Sequence, residues 1–304
     1  MTKRFLLFFV IVLTAHPGRA QDWFDQAKLL EDIETLSSDE YEGRNAGTAG
    51  GAKARAYLKN RFDSLGLAEC GDFMEQTFPI GGGRDGVNLL GRIEGTDSPD
   101  RSIVLSAHYD HLGVRGGEIY NGADDNASGT AALIAIASYF INHPPRHSLI
   151  IAAFDAEETG LSGARAFLEN PCIPITSISL NINMDMISRS EAKELYAVGL
   201  QYYPYLKEFV LGIDSDRDFT LLFGHDAPNS GSDDWTMASD HGPFHAQGIP
   251  FVYFGVEDHG GYHQPSDDFE YITQDFYVSV VEGIIDFVKR LDENLGEIDQ
   301  LRLE

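Results

Sequence analysis

Basic residues, cysteines and long apolar runs are all scarce in this sequence. Its 22 lysines and arginines stand against 48 aspartates and glutamates, a formal charge of -26. A chain this acidic has no cationic footprint for a phosphate backbone, which excludes nucleic-acid binding as a main role and disfavours anionic membrane surfaces. Two cysteines, Cys70 and Cys172, cannot build a disulfide framework, and neither lies in a CxxC or beside a motif that would activate a thiol. Their spacing leaves open whether they pair or stay apart as buried thiols. The apolar run Phe5 to Ala15 has 11 residues, short of the ~20 that a membrane-spanning helix needs. A nucleophile elbow, a phosphate loop, a dinucleotide fingerprint and an internal repeat are also missing.

What is present begins with an export pattern. Met1-Thr2-Lys3-Arg4 is basic, the apolar run follows, and Gly18-Arg19-Ala20 offers small residues before a cut. Residues 1–20 therefore read as a cleaved signal peptide, and residues 21–304 as one catalytic domain, exported to a periplasm or the medium without a stable membrane anchor. Loss of Lys3, Arg4 and Arg19 takes the formal charge from -26 to -29. With 43% hydrophobic and 11% aromatic residues the chain can fill a core, which separates it from disordered acidic tails.

The pattern along the chain alternates helices with continuous apolar strands. Helical spacing covers Asp22 to Leu36 and Ala49 to Leu65, the latter closed by Gly66. Gly81-Gly82-Gly83 and Asp97-Ser98-Pro99-Asp100 mark turns. Strand-like runs cover Asn88 to Ile93, Ile103 to Ala107, Leu149 to Phe154, Ile173 to Met186 and Ile249 to Phe254. Ala127 to Tyr139 reads as a buried helix, Leu161 to Leu168 as a short one and Val278 to Leu291 as an amphipathic one. This predicts an α/β fold: a single domain with a twisted, mostly parallel or mixed sheet and helices on both faces.

Acidic and imidazole groups gather where the apolar strands end. His108-Tyr109-Asp110, Asp155-Ala156-Glu157-Glu158, Asp185 and Tyr262-His263 follow or approach four strands, and Asp124-Asp125-Asn126 opens the buried helix. Ligands of open α/β sheets bind at the carboxyl ends of the strands. Several negative charges brought there require cations, and imidazole with carboxylate suits zinc or a neighbouring divalent ion. Singly, each cluster has an ordinary explanation as a helix cap, an acidic first turn or a loop residue. In this order, each at an element boundary, they act together.

The series SAHYDH (106–111), GADDNASGTAA (122–132), FDAEETGLSGARAF (154–167), NMDMI (183–187), SDHGPF (239–244) and YHQPSDD (262–268) resembles the co-catalytic zinc exopeptidases. That family includes secreted bacterial leucyl aminopeptidases, glutamate carboxypeptidase and, as a divergent branch, glutaminyl cyclase. YEGRNAGTAG (41–50) also resembles secreted members. The resemblance implies two zinc ions per chain, with His108 on one and His263 on the other. Asp125 would bridge them, with a cis bond before Asn126, and Glu158 and Asp185 would complete the shells. Glu157 would be the general base for a metal-bridging hydroxide, Asp110 the partner that orients His108, and Tyr262 an oxyanion donor. The implied activity is removal of N-terminal residues from peptide substrates. Two alternatives stay open: a glutaminyl cyclase, although that branch places Trp where Tyr262 stands, and a noncatalytic metal-binding module. Arg189 is the basic residue that a carboxypeptidase-like pocket would use, His259 reads as a rim residue, and Ser239-Asp240-His241 has no assigned role.

Overall fold

A computed structural model of the chain describes residues 24–228 and 230–302. The proposed signal at 1–20 lies outside the described residues. Helices α1 (Gln26–Leu36) and α2 (Ala49–Leu65) lead into β1 (Ala68–Glu69), β2 (Glu75–Gly81), β3 (Arg84–Ile93) and β4 (Ser98–His108). A small hairpin, β5 (Gly113–Arg115) and β6 (Glu118–Tyr120), precedes α3 (Gly129–Asn142) and β7 (His147–Phe154). Next come α4 (Ser162–Glu169), β8 (Ile178–Met184), β9 (Glu194–Val198), α5 (Lys207–Val210) and β10 (Thr220–Phe223). The chain closes with α6 (His241–Ala246), β11 (Phe251–Gly255) and α7 (Gln274–Leu301).

The sheet runs in the order β1-β3-β7-β4-β8-β11-β9-β10, with β2 added on β3. Its centre, β7-β4-β8-β11, is parallel, whereas β3 joins β7 and β9 joins β11 antiparallel. The expected single α/β domain with a mixed sheet is therefore found, and the parallel part is its middle. Apolar runs are continuous there because both faces are covered. Along β4, Ile103 and Leu105 pack into the larger core with residues of α1, α3 and α7, while Val104 points to the smaller core with Phe167 of α4 and Phe244 of α6.

Three local readings change. The Asp97–Asp100 turn is instead the start of β4, where Pro99 sits in a stretch whose register shifts between Ser98 and Ser102, so no ladder donor is missed. The buried helix starts later than expected, at Gly129, because Ala123–Ser128 forms a wide turn with non-helical Asp125 and Asn126. The last helix extends well beyond 278–291, its apolar stripe continuing through Leu295 and Ile298. Gly66 caps α2 as read, at φ 71, its N–H donating to the Asp63 carbonyl. Cys70 and Cys172 are joined in a disulfide with Cα atoms 5.4 Å apart. No helix among the described residues is long and apolar enough to cross a membrane.

Candidate active site

Parallel pairing aligns the ends of the central strands, so the loops that follow them leave at one edge. His108 at the end of β4 lies opposite Phe154 of β7, and Met184 of β8 lies opposite Phe254 of β11. Asp155 to Glu158, Asp185 and the loop to His263 all begin within a few residues of those rungs. The wide turn before α3 brings Asp124 and Asp125 to the same place. It lies so close to β8 that a Cβ on Gly129 would stand 2.3 Å from the Met184 carbonyl. The peptide bond between Asp125 and Asn126 is cis.

Two groups of donors form there, and Asp125 belongs to both. In the first, His108 Nε2 is 3.6 Å from Asp125 Oδ1 and 3.2 Å from Asp185 Oδ1. The second is made of His111, Asp125 and Glu158, and His263 Nε2 also approaches it, 3.2 Å from Asp125 Oδ2 and 3.6 Å from Glu158 Oε2. Within that group His111 Nδ1 lies 2.9 Å from Glu158 Oε1 and 3.7 Å from Asp125 Oδ2. Tetrahedral zinc with bonds of about 2.0–2.2 Å separates its ligands by about 3.3–3.6 Å, close to this spacing. Buried His111 Nδ1 and Glu158 Oε1 face each other at 2.9 Å without forming a hydrogen bond and have no other partner, as expected of atoms that serve a metal. The all-nitrogen-and-oxygen donor set also fits zinc.

Supports surround these donors. His108 Nδ1 faces the Asp110 carbonyl at 3.1 Å, and the Asp110 carboxylate lies slightly farther off at 3.6 Å. That carboxylate accepts the Glu157 N–H at 3.0 Å, so Asp110 ties the β4 loop to the β7 loop. Asp267, fully buried, accepts the N–H groups of Asp124 and Asp125 at 3.0–3.1 Å. Asp124 in turn accepts from Ser188 and faces His259 Nε2 at 3.0 Å.

Burial and charge crowding set the protonation behaviour. Burial pushes Glu157 well above the usual carboxylate range; His108 pulls it back, but Asp185, Asp240 and Asp110 raise it further. Burial acts upward on Asp185 too, yet His108, with Ser239 and His241, outweighs it and holds that carboxyl low. His108 itself is raised well above the ordinary value, Asp185 and Glu157 overcoming its burial. Burial lowers His111 to about 3, leaving a neutral ring of the kind that ligates metals.

Residues 88–288, two thirds of the chain, match the model of peptidase family M28. The chain belongs to that family. A vacuolar membrane protease of Schizophyllum commune is 33% identical over 98 residues, 32% of this chain and 10% of that protein. Matched segments of curated relatives thus span a small part of their length. Among solved structures, a zinc aminopeptidase from Bacillus subtilis superposes with a TM-score of 0.70 at 17% identity, covering 87% of this chain and 94% of that one. Porphyromonas gingivalis glutaminyl cyclase gives 0.71 at 19%, covering 88% and 98%. At these identities the two structures share the fold.

The eight residues singled out from sequence converge, with differences of detail. His108, Asp125, Glu157, Glu158, Asp185, Tyr262 and His263 line one cavity of about 340 Å³, and Asp110 supports it from beneath. Tyr262 stacks on His263 with ring centroids 4.0 Å apart, and burial raises its phenol. His259 is no rim residue but the partner of buried Asp124. Arg189 does not line the cavity; it donates to the Ser266 carbonyl and lies over the Tyr271 ring. Sequence reasoning missed His111 as a donor, although it ends the SAHYDH motif, because four residues of loop give no clue to which ring turns inward. It also missed Asp267, which the motif YHQPSDD contains, and Tyr253, whose hydroxyl donates to the Asp185 carbonyl at 3.2 Å.

Proposed function

We propose that this protein is a zinc-dependent aminopeptidase that holds two ions and removes apolar N-terminal residues from peptides. Carrying the reading is a cavity lining with Glu157 beside both donor groups and no lysine or arginine among the described residues. A C-terminal carboxylate would find no lysine or arginine to pair with there. An α-ammonium group would find Asp258, an exposed carboxylate on the same wall. Leu161, Met186, Trp235 and Val256 supply apolar surface for the first side chain. Trp235 stacks on His225, ring centroids 3.7 Å apart. The volume is at the low end of ligand cavities, about 300–1,000 Å³, which suits a chain end better than a chain middle.

Bound zinc would supply Lewis acidity and a water of lowered pKa. Glu157, whose carboxyl burial holds well above the usual carboxylate range, would be the residue that accepts a proton on its carboxylate and returns it to the departing amine. Asp110 fixes the Glu157 backbone through the 3.0 Å bond, so the base cannot swing away at its Cα. Tyr262, close by and kept protonated, would donate to the carbonyl oxygen as charge develops.

The test is mass spectrometry of free, N-acetylated and N-terminal-Gln peptides incubated with the protein, with and without chelator. Stepwise loss of N-terminal residues from free peptides alone, abolished by chelator, is expected. Loss of ammonia only, from the Gln peptides, would make the protein a cyclase.

A further inference from the structure

The segment 41–50 contains a charge that the catalytic reading leaves unused. Arg44 is fully buried, yet no carboxylate among the described residues pairs with its guanidinium. Its donors go to four backbone carbonyls from three separate segments. Nε reaches Tyr109 at 2.9 Å, Nη1 reaches Leu36 at 2.7 Å and Asn121 at 2.5 Å, and Nη2 reaches Gly122 at 2.8 Å. Tyr109 directly follows His108, and Gly122 opens the turn that presents Asp125. One planar fork therefore clamps the two loops that deliver a donor to each group, and anchors both on the end of α1.

The chain adopts an unusual course to place that fork. Glu42, Gly43 and Arg44 lie consecutively in the left-handed region, at φ 51, 64 and 51. A Cβ on Gly43 would stand 2.3 Å from the Tyr120 carbonyl and 2.8 Å from Gly113 Cα, so only glycine allows the approach. Burial lowers the Arg44 pKa to about 10, while the charges of Asp125, Asp267, Asp110 and Glu158 oppose the drop, and the group stays cationic at neutral pH.

We propose that Arg44 is a positioning residue that assembles the donor cage before metal arrives: it fixes the loops of His108 and Asp125 and offsets the mutual repulsion of the carboxylates. The proposal rests on the metal-holding part of the proposed function and on nothing about which peptides are cut. It sets two electrostatic effects against each other. A fixed cation repels an incoming zinc ion, but a cage whose loops are loose must be ordered at the expense of binding energy. Because the four hydrogen bonds tie down backbone and the nearest charges are carboxylates, ordering outweighs repulsion.

The test measures zinc affinity by chelator competition, and melting with and without zinc, for wild type, R44M and R44K. R44M is expected to bind zinc at least tenfold more weakly, within the roughly 10–100-fold range seen when groups behind metal ligands are removed. R44K keeps the charge but cannot span four carbonyls, and is expected to stay weaker than wild type. Should R44M fail to fold, R44K alone decides. Equal melting losses with and without zinc, at unchanged zinc affinity, would mean a merely structural arginine and overturn the proposal. Full recovery of affinity in R44K would also overturn it. Wild-type protein that binds no zinc would overturn this proposal together with the proposed function, whereas wild-type binding with unaltered R44M overturns this proposal alone.

Discussion

Replacing Glu157 by glutamine separates chemistry from metal holding. The amide has the shape of the carboxylate, and the 3.0 Å bond from the residue 157 N–H to Asp110 belongs to the backbone, so the loop is unchanged. Glu157 belongs to neither donor group, so zinc content should match wild type. What disappears is the proton acceptor. Positioned general bases contribute about 10²–10⁴-fold, which is about 3–5 kcal/mol of barrier, and turnover should fall by that factor with little change in KM. The stability effect has the opposite sign. Burial and neighbouring carboxylates disfavour the Glu157 anion, so a neutral amide relieves the metal-free protein, whose melting temperature at pH 8 should be equal or higher. The assay pairs initial rates on an aminoacyl anilide with zinc content by mass spectrometry and a melting curve. Turnover within tenfold of wild type at full zinc content would refute the base assignment. Loss of zinc would refute the division of labour between Glu157 and Glu158.

Three further outcomes follow from other parts of the molecule. Asp258→Asn should raise KM for free peptides several-fold while leaving kcat and zinc content alone, and an unchanged KM would remove the α-ammonium role. Metal-free protein should lose stability between about pH 6.5 and 8.5. Asp155, Asp240 and Asp267 are raised by burial to about 7, 8 and 7, so the unfolded chain binds fewer protons across that window. His111 and His241, lowered by burial to about 3 and 4, push the other way only below the ordinary histidine range, and a melting temperature that rises toward pH 8.5 would contradict this account. Double substitution of Cys70 and Cys172 by serine opens a link across 102 residues, worth up to about 4.7 kcal/mol in the chain-entropy picture. Denaturant midpoints should drop accordingly with activity retained, since neither sulfur lines the active-site cavity.

The amino-acid order by itself determined where strands stop and which chemistry waits there. His108, Glu157, Glu158 and Asp185 each follow a run of apolar residues, and such a run buried on both faces makes a central strand wherever it occurs. The acidic excess, the end of α2 at Gly66 and the alternation that yields a mixed sheet are local properties of the same kind. Only the tertiary structure decided how Asp125 divides its two oxygens between His108 and His263, 155 positions apart in sequence. It also turned His111 inward, paired His259 with Asp124, sent Arg189 away from the cavity and joined Cys70 to Cys172. The physical reason is common to all of these. Strand and helix periodicity fix the direction of a side chain within an element, but in a loop that direction depends on what distant segments pack against it. Arg44 illustrates the limit: in sequence it is one basic residue in a glycine-rich loop, and its four carbonyl partners lie 8, 65, 77 and 78 positions away.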